Sequence, residues 1–425
     1  MKLTDLHDST KAVSALAMFN AEEGKVIALQ ILKNEILKEH ITKVPAMLTC
    51  ISGEAVFENE DGFKETITQG SYILIEPNTN TVIAEFNSDA QIEPASMTKV
   101  MTSYVIADQI ANDLIKPEDK VLISNKAWRM EGSRMFIEAG KKVPVSELLK
   151  GIIIQSGNDA SVAMAEYAGG TEDGFVDLMN AYAGSIGLRN TLFQNATGLP
   201  DPNHFTSTAD LAKLTASFIK KFPEEYALYK DRQFTFNNIK QLNRNKLLWR
   251  DDSSDGVKTG HTEAAGYCLV GSAKRGDMRL ITVVAGSDSD NNRFLSSQRL
   301  LEYGFRFFAT QKVLNANQEY KNITIWGGVE KSLGLGVLDD ISITLPRTSF
   351  KDLTVNYKYS NNIQAPIEIG QTIGTLEIVS NEEIVFSTEL VALQNIKSKG
   401  FFGRLWSKFA LWIFSLFGMT DNGTS

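Results

Sequence analysis

The chain has 425 residues and a formal charge of −8, with 43% hydrophobic and 22% charged residues. That length suits two or three domains with ordinary globular cores and excludes a small disulfide-stapled scaffold. The acidic balance argues against nucleic acid as the main partner, because phosphate binding needs basic patches.

Two cysteines, Cys50 and Cys268, are too few for a disulfide framework and read as small buried hydrophobes. The four histidines, His7, His40, His204 and His261, show no metal-ligand spacing, so neither a metal nor a cofactor is expected. The stretch Met1 to Asp8 puts acidic residues where a secretory signal carries cations, and no long apolar run follows. The expectation is therefore a chain without a visible export signal.

Strand-like runs come first: Val26–Leu32, Ala46–Ile51 and Glu54–Glu58, with turn signals at Ser52-Gly53 and Glu60-Asp61-Gly62. Glu39-His40, then Ile51 to Ala55, then Gly70 running into Ile75-Glu76-Pro77 resemble part of a small cupin barrel. Metal-binding cupins cluster several histidines, whereas His40 stands alone. Ser71–Glu76 also reads as one arm of a hairpin with Val82–Asn87 across Pro77–Asn80. One strand cannot serve two sheets, so 71–76 is assigned downstream and 1–70 is read as a truncated cupin-like fragment.

The hairpin leads into Pro94-Ala95-Ser96-Met97-Thr98-Lys99 and a helix expected over 96–115. Positions i and i+3 share a helix face, with Cβ atoms about 5–6 Å apart. A serine hydroxyl becomes a good nucleophile when a neighbouring base takes its proton, and a lysine of lowered pKa can be that base. The pattern alone is common: Ser217 to Lys220 matches it too. Order separates the two. Ser156-Gly157-Asn158 and then Lys258-Thr259-Gly260 follow Ser96, while nothing of the middle type lies between Ser217 and Lys258. Ser289-Asp290-Asn291 and Ser360-Asn361-Asn362 fall after the Lys-Thr-Gly. One consistent trio remains, the set used by serine β-lactamases and penicillin-binding proteins.

Further along, 127–136 reads as a surface loop with aromatic anchors, and Val145–Ile154 as an apolar helix delivering Ser156. Helices are expected from Asn158, over 173–186 and 208–221, and from Arg293 to Phe308. Gly256–Gly260, Gly266–Ala273 and Arg279–Gly286 read as neighbouring strands. The span 71–310 is thus an α+β domain, an antiparallel sheet with helices. After it, short strands at 321–326, 341–345, 353–359 and 375–379 mark an all-β domain over 311–394. In the tail, 395–425, Arg404, Ser407, Lys408 and Ser415 share one face of an otherwise apolar run from Phe401 to Phe417. A membrane span needs about 20 apolar residues, so this run suits a helix lying in the interface, with Trp406 and Trp412 at headgroup depth.

The trio, together with Gln155–Asp159, Gln241–Trp249, Asp255–Thr262 and Tyr303–Phe308, resembles the D-alanyl-D-alanine carboxypeptidases of the low-molecular-mass penicillin-binding-protein type. The resemblance runs from Ser71 through the tail. It implies a β-lactamase/transpeptidase-like domain, a C-terminal β-sandwich and an amphipathic membrane anchor. It also implies a substrate, the peptidoglycan stem pentapeptide, and β-lactam inhibitors that mimic its D-Ala-D-Ala end. Ser96 is the implied nucleophile and Lys99 its base. Ser156 relays a proton to the leaving D-alanine, Asn158 orients Lys99, and Lys258 lowers the pKa of Lys99 by its field. The implied substrate-binding set is Thr259, Gly260, His261 and Arg293: backbone N–H groups of Ser96 and His261 form the oxyanion hole, while Thr259 and Arg293 receive the terminal carboxylate.

Two other readings stand beside this one. A class A β-lactamase needs a glutamate-activated water; Glu172, Asp173 and Glu225 fall in the right region, but their surroundings do not match. A fusion or binding module retained in the cytoplasm would have no physiological activity. The family resemblance places the protein on the periplasmic face of the inner membrane.

Overall fold

The computed structural model describes residues 11–21, 24–33, 35, 37, 54–58, 64–68, 70–400 and 423–424. The chain divides into two compact units, 1–49 and 50–425. In the first, β1 (Val13–Ala21) pairs antiparallel with β2 (Gly24–Ile31). β2 meets the expected strand at 26–32, whereas β1 lies in a stretch not read as a strand. The expected strand 46–51, His40 and Cys50 lie outside the described residues, as does the amphipathic run 401–417. What is described of 1–70 is therefore two hairpins: β1–β2, and β3 (Glu54–Glu58) with β4 (Lys64–Thr68) in the second unit.

The next hairpin is β5 (Ser71–Glu76) and β6 (Thr81–Phe86). A 3₁₀ turn, Ala95–Thr98, leads into α1 (Lys99–Ala111). Then come β7 (Lys120–Leu122), α2 (Asn125–Trp128), β8 (Lys142–Pro144) and α3 (Val145–Lys150). α3 continues as a π-helical turn, Gly151–Gln155. α4 (Asn158–Gly169), α5 (Glu172–Ile186), α6 (Thr208–Lys221) and α7 (Pro223–Ala227) complete the helical side. β9 (Gln233–Phe236), β10 (Ile239–Leu242) and α8 (Leu247–Arg250) precede the long strands β11 (Ser254–Thr262), β12 (Gly266–Arg275) and β13 (Met278–Ser287). α9 (Asp290–Phe307) closes the domain.

β5 joins the downstream sheet, whose antiparallel order is β11-β12-β13-β5-β6. Both faces of that sheet are covered, which is why Ser71–Glu76 reads as an almost unbroken apolar run. Ile73 and Ile75 face the core built on α1, with Val100, Tyr104 and Phe218. Leu74 points the other way, onto Phe294, Leu301 and Phe305 of α9. Period-two alternation thus serves two cores at once. α1 runs through the middle of the larger core and is buried on nearly every side, its polar residues Lys99, Thr102, Ser103 and Gln109 included.

Several expectations shift in detail. Ser96 sits in the 3₁₀ turn and not in the α-helix. The expected helix 145–154 is α3 plus the π turn. α9 starts earlier than Arg293 because Ser289 caps it, accepting from the Asn292 N–H, so Ser289-Asp290-Asn291 is a helix start. Ser217 is likewise structural, bonded to the Tyr104 hydroxyl at 3.1 Å. In 127–136 the aromatic anchors are not anchors: Trp128 is 43% and Phe136 45% exposed, while Met135 is buried. Its thioether lies against Gly151, where a Cβ would meet Met135 Sδ at 2.2 Å.

β14 (Phe308–Leu314), β15 (Lys321–Thr324), β16 (Ser332–Gly336), β17 (Ile341–Pro346), β18 (Thr354–Tyr359), β19 (Thr372–Ser380) and β20 (Glu383–Ala392) build the all-β part. β14 pairs with β17, and β15-β16-β20-β19-β18 form the larger sheet, extended by β21 (Gly423–Thr424). One apolar core, with Leu314, Ile343, Leu333, Leu335, Leu376 and Leu390, joins the two sheets. A threonine cluster connects this part to the β5–β6 hairpin: Thr344 Oγ1 lies 2.7 Å from Thr79 Oγ1 and 2.8 Å from Thr310 Oγ1.

Candidate active site

The turn that carries Ser96 is held by close backbone packing. Gly198 adopts φ +85°, and a Cβ there would lie 1.7 Å from the Ala95 carbonyl oxygen, so only glycine fits. Ala95 itself has φ +46°, a left-handed conformation that costs a non-glycine residue energy. The turn that carries Gly198 is organised by Asn195. Its Oδ1 accepts from Thr197 N (3.1 Å), Thr197 Oγ1 (2.8 Å) and Gly198 N (2.7 Å).

In a 3₁₀ turn residues i and i+3 eclipse, which sets Lys99 directly beside Ser96. Lys99 is fully buried. Its Nζ donates to Ser96 Oγ (3.2 Å), Asn158 Oδ1 (2.7 Å) and the Thr197 carbonyl (2.5 Å). Three acceptors match the three N–H bonds of an ammonium. A neutral amine has two, enough for Asn158 and Thr197, and its lone pair then faces the serine hydroxyl. Asn158 is oriented from behind, since its Nδ2 donates to the Glu131 carbonyl at 2.7 Å. Burial pulls the Lys99 pKa down to about 7, Arg244 adds to the effect, and Asp159 opposes it.

Ser156 ends the π turn at φ +64°, and its Oγ is buried without a hydrogen-bond partner among the described residues. A strained backbone next to an unpaired buried hydroxyl is typical of a functional position. β11 forms the opposite wall. Gly260 packs directly on the Ser96 turn: a Cβ there would be 3.1 Å from Met97 Cγ and 3.3 Å from Ala95 Cβ. Thr262 Oγ1 donates to Glu93 Oε2 at 2.7 Å and fastens the strand end to the residues before Ser96. Lys258 is buried, with Nζ donating to the Thr259 carbonyl at 3.1 Å. Its pKa lies well below the usual lysine range, first through burial and then through Lys99, Arg244 and Arg293. Thr259 is buried beside it, while the exposed ring of His261 stacks on Tyr267 at 4.1 Å. The trio and the strand residues are thus brought together.

Burial and then Arg244 lower the Lys99 pKa, and Lys99 and Lys258 also repel one another. One expectation is corrected here. Arg293 is not an open fork for a carboxylate. It is buried; Nη1 donates to the Gly260 carbonyl at 2.9 Å and Nη2 to Asp290. It braces β11 from behind. Sequence reasoning also passed over three features. Arg244 lay inside the Gln241–Trp249 stretch without a role. The Asn195–Gly198 turn showed only an Asn and a Gly. His204, buried, shares a 2.9 Å hydrogen bond with Thr98 Oγ1, and burial takes its pKa to about 4, so it braces the turn as a neutral ring. Of the carboxylates a β-lactamase would need, Glu172 is committed to Lys126 at 2.7 Å and to the Ala196 N–H at 3.3 Å. Among the described residues no group of three or more His, Cys, Asp or Glu side chains could hold a metal ion.

Comparison with known proteins gives two family matches. The D-alanyl-D-alanine carboxypeptidase family matches residues 57–289, and the C-terminal domain of penicillin-binding protein 5 matches residues 308–398. The D-alanyl-D-alanine carboxypeptidase DacC of Escherichia coli (strain K12) is 42% identical over 359 residues, covering 82% of this chain and 90% of that protein. DacA of the same strain is 44% identical over 343 residues, 79% of this chain and 85% of its own length. The crystal structure of penicillin binding protein 5 from Haemophilus influenzae superposes with a TM-score of 0.74 at 39% identity, covering 77% of this chain and 97% of that one.

Proposed function

The chain belongs to the D-alanyl-D-alanine carboxypeptidase family, and we propose that Ser96, Lys99, Ser156, Asn158 and Lys258 carry its chemistry. The protein is a serine-type D-Ala-D-Ala carboxypeptidase, of a family that acts on peptidoglycan peptides and binds β-lactams.

In the proposed reaction the free amine of Lys99 takes the Ser96 hydroxyl proton as Oγ adds to the carbonyl of the penultimate D-alanine. The resulting oxyanion lies against the backbone N–H groups of Ser96 and His261; such a donor is worth about 2.7–4 kcal/mol in other enzymes. The C–N bond then breaks. The leaving amine of D-alanine takes a proton relayed through Ser156, and an ester remains on Ser96. Water hydrolyses the ester, releasing the shortened peptide and restoring the hydroxyl. Thr259 and Gly260 line the pocket for the terminal carboxylate, with the Lys258 side of the strand supplying positive potential, and Arg293 acts as a positioning residue that holds Gly260. The observation that carries this reading is the three-way anchoring of a Lys99 amine whose pKa is about 7. A base titrating near neutrality is half unprotonated where it must work.

The test is incubation with a fluorescent penicillin followed by peptide mapping, alongside release of D-alanine from a synthetic pentapeptide. One label on Ser96, lost in Ser96→Ala, is expected. A label elsewhere, or none, overturns the assignment.

We also propose the run Phe401–Phe417 as an anchor lying in the membrane surface, on the periplasmic face of the inner membrane. The apolar circumference and the placement of Trp406 and Trp412 support it. Among the described residues no helix is long and apolar enough to cross a membrane. Ending the chain after Gly400 is expected to move the protein from the membrane to the soluble fraction. Unchanged membrane association removes the anchor from this segment.

A further inference from the structure

Asp159 follows Asn158 directly and is one of the few fully buried carboxylates in the catalytic domain. Among the described residues no cation pairs with it; backbone amides do. Oδ1 accepts from Met135 N (2.9 Å) and Ala160 N (2.9 Å), and Oδ2 from Phe136 N (2.9 Å) and Ile137 N (3.3 Å). Three of those four amides belong to the loop 131–137. The same loop is gripped by Asn158 through two more bonds. Asn158 N donates to the Ser133 carbonyl at 2.6 Å and Nδ2 to the Glu131 carbonyl at 2.7 Å. Gly132 lies so close that a Cβ would be 2.9 Å from Asn158 Nδ2.

We propose that Asp159 is a positioning residue for the reaction: it clamps the loop 131–137, and the clamped loop turns the Asn158 amide so that Oδ1 aims the Lys99 amine at Ser96. The inference rests on the reading of Ser96 as the acylated residue. The chain of contacts is short. The Asp159 carboxylate holds the loop amides, the loop offers its Glu131 carbonyl, that carbonyl fixes Nδ2, and Oδ1 is left facing Nζ. An amide free to flip would present its NH₂ to the lysine and lose the acceptor. The charge acts as well, because Asp159 holds the Lys99 pKa up against burial and Arg244. The charged and titratable groups around Lys99 are Asp159 on α4, Arg244 before α8, Lys258 on β11 and His204 in the loop before α6, with Arg293 on α9 acting on Lys258. Asp159 is the negative member of that set.

Two variants separate the two effects, with acylation by a fluorescent penicillin followed across pH by stopped flow on the full chain. Asp159→Asn removes the charge and sets an NH₂ against loop amides. Its acylation rate is expected to fall roughly tenfold to a hundredfold, the range for a catalytic group misplaced by about 1 Å, and its acidic limb to move to lower pH. Gly132→Ala pushes on Asn158 Nδ2 from the loop side and leaves the charge. Its rate should fall while the limb stays where the wild type has it. Thermal melts check that each variant is folded; if Asp159→Asn is not, Gly132→Ala decides. A rate within threefold of wild type in either folded variant overturns the proposal, as does an Asp159→Asn limb that stays put or rises. A wild-type protein that takes no label sinks the Ser96 reading instead, so the two failures are distinct.

Discussion

The catalytic domain and the all-β domain bury their residues by different rules. Around α1 the interior holds Lys99, Lys258, Asp159, Asn158 and Arg293. In the β domain the fully buried side chains include Leu333, Leu335, Leu376 and Leu390, and the buried carboxylate Glu377 is paired with Lys358 at 2.6 Å. Backbone strain differs too. Left-handed Ala95 and Ser156 lie in the candidate site and left-handed Phe136 in the loop bonded to Asp159, whereas after β14 the left-handed residues are Asn317, Asn381 and Glu382, all in turns. Asparagine tolerates that conformation in turns; alanine and phenylalanine do not. Buried charge and strained backbone both lower stability, so their concentration in one domain marks where structure yields to chemistry.

The contrast can be broken most severely at Lys99. Lys99→Met is expected to cut acylation by roughly 10²–10⁴-fold, the usual worth of a general base, measured with fluorescent penicillin. The same variant changes stability against pH. The folded pKa of about 7 lies below the ordinary lysine value of 10.5, so the unfolded chain binds more protons between them. Wild-type stability therefore rises as pH increases through that window. Denaturant melts of Lys99→Met should show a shallower rise, not a flat one, because Lys258 is depressed too.

The opposite result is expected from the β-domain core. Leu376→Ala should cost about 2–5 kcal/mol in stability, through lost burial and a cavity. Acylation per folded molecule should stay within a factor of two. A large fall in acylation would mean that the two domains are coupled more tightly than their threonine joint implies. In the wild type, acylation should drop about tenfold per pH unit below the Lys99 pKa, since only the free amine acts as base; a flat profile from pH 5.5 to 7 would contradict the assignment. The smallest effect belongs to Lys358→Ala. Lys358 is 54% exposed, and such pairs contribute about 0.2–1 kcal/mol.

How much was legible in advance follows from locality. The order of Ser96, Ser156 and Lys258 pointed to the proposed site because each sits in a short motif whose neighbours are fixed by sequence. β5 could be placed downstream because it reads as one arm of a hairpin with Val82–Asn87 that leads straight to Ser96, and one strand cannot serve two sheets. The 3₁₀ turn at Ser96 was not legible, since it follows from Gly198 pressing on Ala95 across a hundred residues of chain. Nor was the role of Arg293: an arginine reads the same whether it faces a ligand or the carbonyl of Gly260. Arg244 acts through space and leaves no periodic trace. In the β domain, β14, β16 and β20 escaped notice because their pairing partners, not their own patterns, define them.

Gly198 has one more consequence, for a chain still being made. Ser96 emerges from the ribosome long before the Thr197 carbonyl that steadies its lysine, and before β11 walls the pocket. Contacts so distant in sequence form late. A half-synthesised chain thus presents the Ser96 hydroxyl without the lysine setting proposed to activate it. That setting is complete only when the last sheet strands close.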